Sequence, residues 1–328
     1  MTAKSLAAAL AAATLVATPA LAVELKLADF QPPTHFVVDS VYTPMAEAIS
    51  EGTDGEVTVR VFMGGELGPG PAEQYNRAVD GVAEIVFSLP GYTASTFPKT
   101  LLAELPGVID PETGTERMLA NIDMLSDEYR RVVLLSLWNN APNLLFTASQ
   151  PIRSMDDLNG LNIRVPSRNA GLVVEAWGGV PVSMPATDVY NAMQTGVIDG
   201  AMIDATTLTA FRLAEVTNYI TVGMDTAISQ FFLVMNRDGF ESLSDDQQAV
   251  VLEAGREAAL NGNAAWLEIA NTALDDFAAT EGKEVIELSP EAVEAFNAAS
   301  APVVEQIIEE AEAAGVDARA YVEALGDE

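Results

Sequence analysis

Short apolar runs alternate with amphipathic helical stretches along most of the chain. Runs rich in Val, Ile, Leu and Phe predict strands at 23–29, 56–63, 83–89, 132–138, 143–149, 161–166, 179–184, 200–204, 219–224, 231–236 and 283–289. Between several of them apolar residues recur at helical spacing, and this alternation predicts α/β lobes built on largely parallel sheets. After 236 the pattern changes. Ser244 with Gln247 makes a capping-box signature, and from there to about Ala279 helical periodicity runs on without a proline. That predicts one long helix, or two in tandem, followed by two more near 290–314 and 318–325.

A weak internal repeat adds an architectural hint. Gly64-Gly65, Tyr75-Asn76 and Asp80-Gly81 recur in the same order as Gly178-Gly179, Tyr190-Asn191 and Asp199-Gly200. One strand–helix–turn–strand unit used twice accounts for this, with each Asp-Gly supplying a turn position of positive φ. The alternative is chance similarity in a chain rich in Ala and Val. A true repeat predicts two similar lobes facing each other across a cleft.

Length supports the same division, because 328 residues at 49% hydrophobic composition exceed the usual size of a single core. The first 22 residues read as an export signal. Lys4 precedes an apolar run through Leu6, Leu10, Leu15 and Val16, and Ala20-Leu21-Ala22 has the small-residue pattern of a cleavage site. The mature chain then begins near Val23. No apolar run has the length and freedom from charge of a membrane span, so a soluble, exported chain without direct membrane insertion is expected.

Charge and cysteine content narrow the chemistry. The formal charge is −32, with 48 acidic against 16 basic residues, one unit more negative once Lys4 is removed. Such a surface repels phosphate backbones and anionic lipid, which argues against nucleic-acid partners. The excess reads as a solvated surface. It also means that an anionic ligand has few cations to meet. The absence of cysteine excludes disulfides, thiolate metal sites and a cysteine nucleophile.

Enzyme motifs are missing: there is no G-x-S-x-G elbow, no Walker loop, no G-x-G-x-x-G after a strand, and one histidine forbids H-E-x-x-H. No catalytic residues, metal or cofactor are expected. That histidine, His35, follows Gln31-Pro32-Pro33-Thr34 at the carboxyl end of the first expected strand, where α/β folds place ligands; a hydrogen-bonded loop residue is the other reading. Asp204 ends the strand Ala201-Met202-Ile203 and either reaches the cleft or caps the next helix. Arg164 lies inside an apolar strand, where a guanidinium is costly unless it meets an anion. Its donor fork suits a carboxylate, whether a ligand's or an internal acid's. Arg168, at the start of the next helix, is a candidate supplement, the other reading being a solvated surface arginine.

The segment containing Arg164, Pro151-Ile152-Arg153-Ser154-Met155-Asp156-Asp157-Leu158-Asn159-Gly160-Leu161-Asn162-Ile163-Arg164-Val165-Pro166, resembles the P-I-x-s-x-x-D-L-k-G-l-k-i-R-v-p stretch of DctP-type solute-binding proteins of TRAP transporters. Glu66-Leu67-Gly68, Asp80-Gly81, Met184-Pro185 through Val189-Tyr190, and Gly196-Val197-Ile198-Asp199-Gly200 extend the resemblance in order. It implies a two-lobed periplasmic-binding-protein (Venus flytrap) α/β fold with mixed, largely parallel sheets and a long bracing helix. It also implies a periplasmic monomer that captures a small organic acid and delivers it to TRAP permease membrane subunits. The expected lobes are 23–146 with 229–268, and 147–228 with 269–328.

In the family the arginine at the Arg164 position pairs with the ligand carboxylate, and Phe30, the His35–Phe36 loop and the Ser88–Tyr92 segment correspond to cleft-lining regions. Many members follow Asp-Gly with an acidic residue and then Asn, Trp or Pro; this chain has Ala201, Met202 and Ile203. Where a second polar anchor is often found it has Asn143 and Leu144. A monocarboxylate with an apolar or aromatic body is therefore expected, walled by Phe30, Trp138, Ile203 and Phe231. Core packing is the other reading of those four. Rival functions are a ligand-sensing module for a membrane receptor and a secreted lyase or hydrolase, which would need an acid–base pair in the cleft.

Overall fold

The structure is a computed structural model that describes residues 22–326. The chain opens with β1 (Val23–Ala28), α1 (Thr43–Gly52), β2 (Val57–Phe62), α2 (Gln74–Val79), β3 (Ile85–Ser88), α3 (Gly114–Ala120) and β4 (Val132–Asn139). It continues through β5 (Leu144–Thr147), β6 (Asn162–Val165), α4 (Arg168–Ala176), β7 (Val180–Ser183), α5 (Ala186–Gln194), β8 (Gly200–Ile203), α6 (Thr207–Ala210) and β9 (Tyr219–Val222). Then come β10 (Gln230–Asn236), α7 (Arg237–Glu241), α8 (Asp245–Ala278), β11 (Glu284–Glu287), α9 (Pro290–Ala313) and α10 (Ala318–Leu325). A strand overlaps every expected apolar run. The export-signal segment, apart from Ala22, lies outside the described residues.

Two sheets form, in the orders β2-β1-β3-β10-β4 and β11-β9-β5-β8-β6-β7. In the first, β1 runs parallel to β2 and β3, while β10 is antiparallel to both β3 and β4. In the second, β6 is parallel to β7 and β8 and β11 to β9, while β5 is antiparallel to β8 and β9. Each sheet thus contains one reversed strand, and each reversed strand carries the chain in from the other sheet. The chain leaves the first sheet after β4 and returns at β10. Both crossings occur at one edge, where the parallel strands end and the reversed strands begin.

The expected division puts the first crossover between 146 and 147, but it lies at 140–143, because β5 is already paired with β8 through Leu144–Ile203 and Phe146–Ala201. The repeat also needs correction. Gly81 has φ +68°, but Gly200 lies in β8, and the positive φ of the turn before it belongs to Gly196 at +73°. A Cβ on Gly200 would stand 2.2 Å from the Phe146 carbonyl oxygen, so this glycine serves close strand approach.

Helix α8 is a single helix of 34 residues, about 50 Å long at 1.5 Å per residue. Ser244 and Gln247 form the expected reciprocal cap, with Gln247 N–H donating to Ser244 Oγ at 3.3 Å. Its buried face is dominated by Ala254, Gly255, Ala258, Ala259 and Gly262, which lets the helix lie close on β4. Further along, Ala270, Ala273 and Phe277 pack with residues of the second sheet, so the helix braces both lobes.

The C-terminal segment departs from the expected division. Phe296 of α9 packs with Trp177 in the second lobe, whose Nε1 donates to the Phe296 carbonyl at 3.0 Å. Ile307, Ile308, Ala318, Tyr321 and Leu325 instead join the core beside β3 and β10 of the first sheet. The end of α9 and all of α10 therefore belong with the first lobe rather than the second. An amphipathic face states that a helix is covered, but not by which lobe.

Candidate ligand site in the interlobe cleft

The crossovers, the strand ends and the middle of α8 converge on one pocket, partly open to solvent, with about 430 Å³ of empty space. From the second lobe it receives Arg164 and Pro166 at the end of β6, Ala186, and Ile203, Asp204 and Thr206 after β8. The first lobe supplies Phe30, Gln31 and His35 after β1, and Phe87, Leu89 and Tyr92 from the end of β3. Asn140, Asn143 and Ser229 come from the crossovers, Phe211 from the turn after α6, and Trp266 from α8. Ligand sites outside the carboxyl ends of parallel strands are the rule in open α/β sheets.

Register puts Arg164 between Val182 of β7 and Ala201 of β8. The residue is 2% exposed. Its Nε donates to the Met184 carbonyl at 2.9 Å and its Nη1 to the Met202 carbonyl at 3.2 Å. These two bonds fix the guanidinium plane. Burial lowers its pKa from the ordinary arginine value, and Tyr92, Asp204 and Asp188 oppose that shift. No carboxylate among the described residues forms an ion pair with it, and a buried cation so placed favours an incoming anion.

Tyr92 crosses the cleft to complete this end: its hydroxyl accepts from the Ala186 backbone N–H at 3.0 Å. Burial raises its pKa, so the phenol stays neutral. From Tyr92 runs a chain of aromatic contacts. Tyr92 meets Phe30 at 6.0 Å, Phe30 meets Phe87 at 5.6 Å and Phe87 meets Phe231 at 5.4 Å. Phe231 meets Trp266 at 4.8 Å, and Trp266 meets His35 at 5.5 Å.

The crossover asparagines are occupied with each other. Asn140 Nδ2 donates to Asn143 Oδ1 at 3.1 Å and to Asp204 Oδ2 at 2.9 Å, and its Oδ1 accepts from Ser229 N–H at 2.8 Å. Asn143 Nδ2 donates to the Ala227 carbonyl at 2.7 Å and to Ser229 Oγ at 3.1 Å. Asp204 Oδ1 accepts from Thr206 N–H at 2.9 Å. It does not cap α6, whose N-cap is Thr206; it organises the turn before that helix and ties β8 to the first crossover.

Of the residues expected at the site, the structure brings Phe30, His35, Tyr92, Asn143, Arg164, Ile203, Asp204 and Phe231 to the cavity. Four expected residues do not line it. Trp138 is fully buried behind the wall, in ring contact with Phe87, Phe231 and Trp266. Phe36 stacks on His35 at 4.4 Å, on the side of Trp266. Ser88 Oγ is turned to the Pro71 carbonyl at 3.2 Å. Arg168 is exposed and pairs with Glu310 at 3.1 Å.

The sequence reading did not single out Gln31, Phe87, Asn140, Thr206, Phe211, Ser229 or Trp266 as site residues. Gln31 and Asn140 sit beside residues that were singled out, and that adjacency is the available signal. Trp266 lies mid-helix among small residues and carries none.

Residues 27–311 match the family described as bacterial extracellular solute-binding protein, family 7, and the chain belongs to it. A marine metagenome TRAP solute-binding protein from an unidentified microbe, specific for aromatic acid ligands and solved with metahydroxyphenylacetate, is similar at TM-score 0.84 and 27% identity, covering 92% of this chain and 97% of that one. A TRAP periplasmic solute-binding protein of Bordetella bronchiseptica, solved with (R)- and (S)-mandelate, is similar at TM-score 0.83 and 28% identity over 92% and 97% of the two chains. The ectoine-binding periplasmic protein TeaA of Halomonas elongata is 26% identical over 77% of this chain and 76% of its own. The class is thus the TRAP solute-binding proteins, on the two-lobed periplasmic-binding fold. Among the described residues no helix is long and apolar enough to cross a membrane.

Proposed function

We propose that the chain is the ligand-capturing component of a TRAP transporter, closing its lobes outside the cytoplasmic membrane over a monocarboxylate with an aromatic body and passing it to the membrane permease without chemical turnover. The observation that carries this reading is Arg164: a buried cation, oriented by two backbone carbonyls and without an ionic partner among the described residues, at one end of an aromatic-walled cavity. A carboxylate there gains a charge-assisted, two-pronged contact, while its ring is covered by Phe30, Phe87 and Phe231. The aromatic acids bound by similar proteins support the same class.

A second carboxylate would meet no further cation and would be costly to bury. Calorimetry with phenylacetate, benzoate and succinate on the purified protein tests this. Tighter binding of the aromatic monocarboxylates is expected, and a preference for succinate would overturn it.

A further inference from the structure

The polar groups on the crossover side of the cavity are bonded to each other, but the loop after β1 presents two that are not. Gln31 Nε2 donates to Asp29 Oδ2 at 3.1 Å and Gln31 N–H to Asp29 Oδ1 at 2.8 Å. Asp29 is held in turn by the Tyr42 hydroxyl at 2.7 Å. The amide is thereby oriented, and its remaining polar atom is the acceptor Oε1. His35 Nδ1 accepts from the Val37 backbone N–H at 3.2 Å, which places the proton of the neutral ring on Nε2. Burial drives the imidazole pKa down to about 3, so the ring stays uncharged. Both side chains are 3% exposed and line the cavity, and neither Gln31 Oε1 nor His35 Nε2 has a hydrogen-bond partner among the described residues.

An acceptor and a donor left open on one short loop of the cavity call for a ligand group that is both. A hydroxyl donates to Oε1 and accepts from Nε2–H. A carbonyl or ether would satisfy only His35, an ammonium only Gln31, and a second carboxylate would face Oε1 with no cation beside it. Among the ring contacts of the described residues, His35 meets neither Tyr92 nor Phe30 directly. The ring contacts joining it to Tyr92 pass through Trp266, Phe231, Phe87 and Phe30.

We propose that Gln31 and His35 form a hydroxyl-recognition subsite that selects an aromatic monocarboxylate bearing a hydroxyl on the part of its ring remote from the carboxylate. This rests on the reading of Arg164 as the carboxylate anchor. A site built to bond a hydroxyl discriminates against the analogue that lacks it, because its buried polar atoms are then left without partners.

The test is calorimetry on the purified protein with phenylacetate, its three ring-hydroxylated isomers, and mandelate, whose hydroxyl sits beside the carboxylate. At least one ring-hydroxylated isomer should bind about tenfold or more tightly than phenylacetate, with no such gain for mandelate. The gain, measured against phenylacetate on the same variant, should shrink below about threefold in both His35→Phe and Gln31→Leu. If phenylacetate binds but no ring hydroxyl adds to it, or if mandelate gains as much, the subsite is wrong and the Arg164 anchor stands. Equal loss of both acids in the variants, or persistence of the gain, also overturns it. If none of these acids binds, the anchor reading fails and takes the subsite with it.

Discussion

One hydroxyl, that of Ser167, accepts from the Ala170 N–H at 3.1 Å and donates to Glu104 Oε1 at 2.8 Å. The first bond caps α4 in the second lobe. The second fastens that helix start to the first lobe, so a local capping preference and an interlobe contact share an atom. Glu104 is 2% exposed and has no ion-pair partner among the described residues.

Closure should therefore be linked to a proton. Burial pushes the Glu104 carboxyl from 4.5 up to about 8, against the lowering effect of bonds from Ser167 and Asn169. When the lobes part, this group returns to water and toward its ordinary value. A raised pKa means that the closed state is favoured fully below about 4.5, progressively less as pH rises, and no longer once pH passes about 8. Ligand affinity of the wild type should fall over that window. Glu104→Gln keeps an acceptor for Ser167 and should flatten the profile, with the largest advantage at alkaline pH. Identical slopes in calorimetric titrations of the two proteins across pH would refute the linkage.

Tyr92 offers a second handle on closure. Its hydroxyl is the acceptor for Ala186 N–H, and in Tyr92→Phe that donor is left without a partner whenever the lobes close. Stranding a buried donor costs about 1–3 kcal/mol, so affinity should drop by roughly tenfold, mainly through faster dissociation. Small-angle scattering at saturating ligand should still show a compact form. An unchanged dissociation rate would mean that the contact contributes nothing to closure.

The strands were legible in the sequence because each is a short apolar run bounded by polar or glycine-rich turns. Their directions were not. Leu144-Leu145-Phe146-Thr147 reads like any buried strand, and only its pairing with β8 and β9 reveals that it is reversed and belongs to the second sheet. The wall residues show the same limit. Phe231 and Trp138 are register partners on adjacent strands, equally apolar, yet Phe231 lines the cavity and Trp138 lies behind it. The position of Arg164 at the cavity was legible because a cation in an apolar strand conflicts with local burial.

The seam between α8 and β4 gives a stability prediction. A Cβ on Gly255 would lie 2.5 Å from the Leu135 carbonyl oxygen and 2.9 Å from its carbonyl carbon, backbone atoms that cannot rotate away. The Gly255 carbonyl also accepts from Ser136 Oγ, holding the helix at this distance. Alanine improves helix propensity by about 1 kcal/mol, but overpacking costs about 1–3 kcal/mol and here requires a whole strand or helix to shift. Gly255→Ala should lower the midpoint of chemical denaturation. A neutral or raised midpoint would show that the seam relaxes more easily than its geometry implies.

Arg164 carries the functional reading, and its replacement separates a ligand anchor from a structural cation. The bonds to the Met184 and Met202 carbonyls orient the guanidinium but do not neutralise it, and among the described residues no carboxylate is paired with it. Removing one partner of a buried charge pair typically costs about 2–5 kcal/mol, much of it from leaving the other charge uncompensated. Arg164→Ala should thus weaken binding of an aromatic monocarboxylate by at least about thirtyfold, given roughly tenfold for each 1.4 kcal/mol. Arg164→Lys should also lose most of the affinity, because an ammonium cannot bond both carbonyls and present a fork to the ligand. Thermal unfolding of the ligand-free protein should change little in either variant, since the cavity can admit water to the two carbonyls. If Arg164→Ala collapses the ligand-free fold while the surviving folded fraction binds as before, the arginine is a structural group and the anchor lies elsewhere in the cleft.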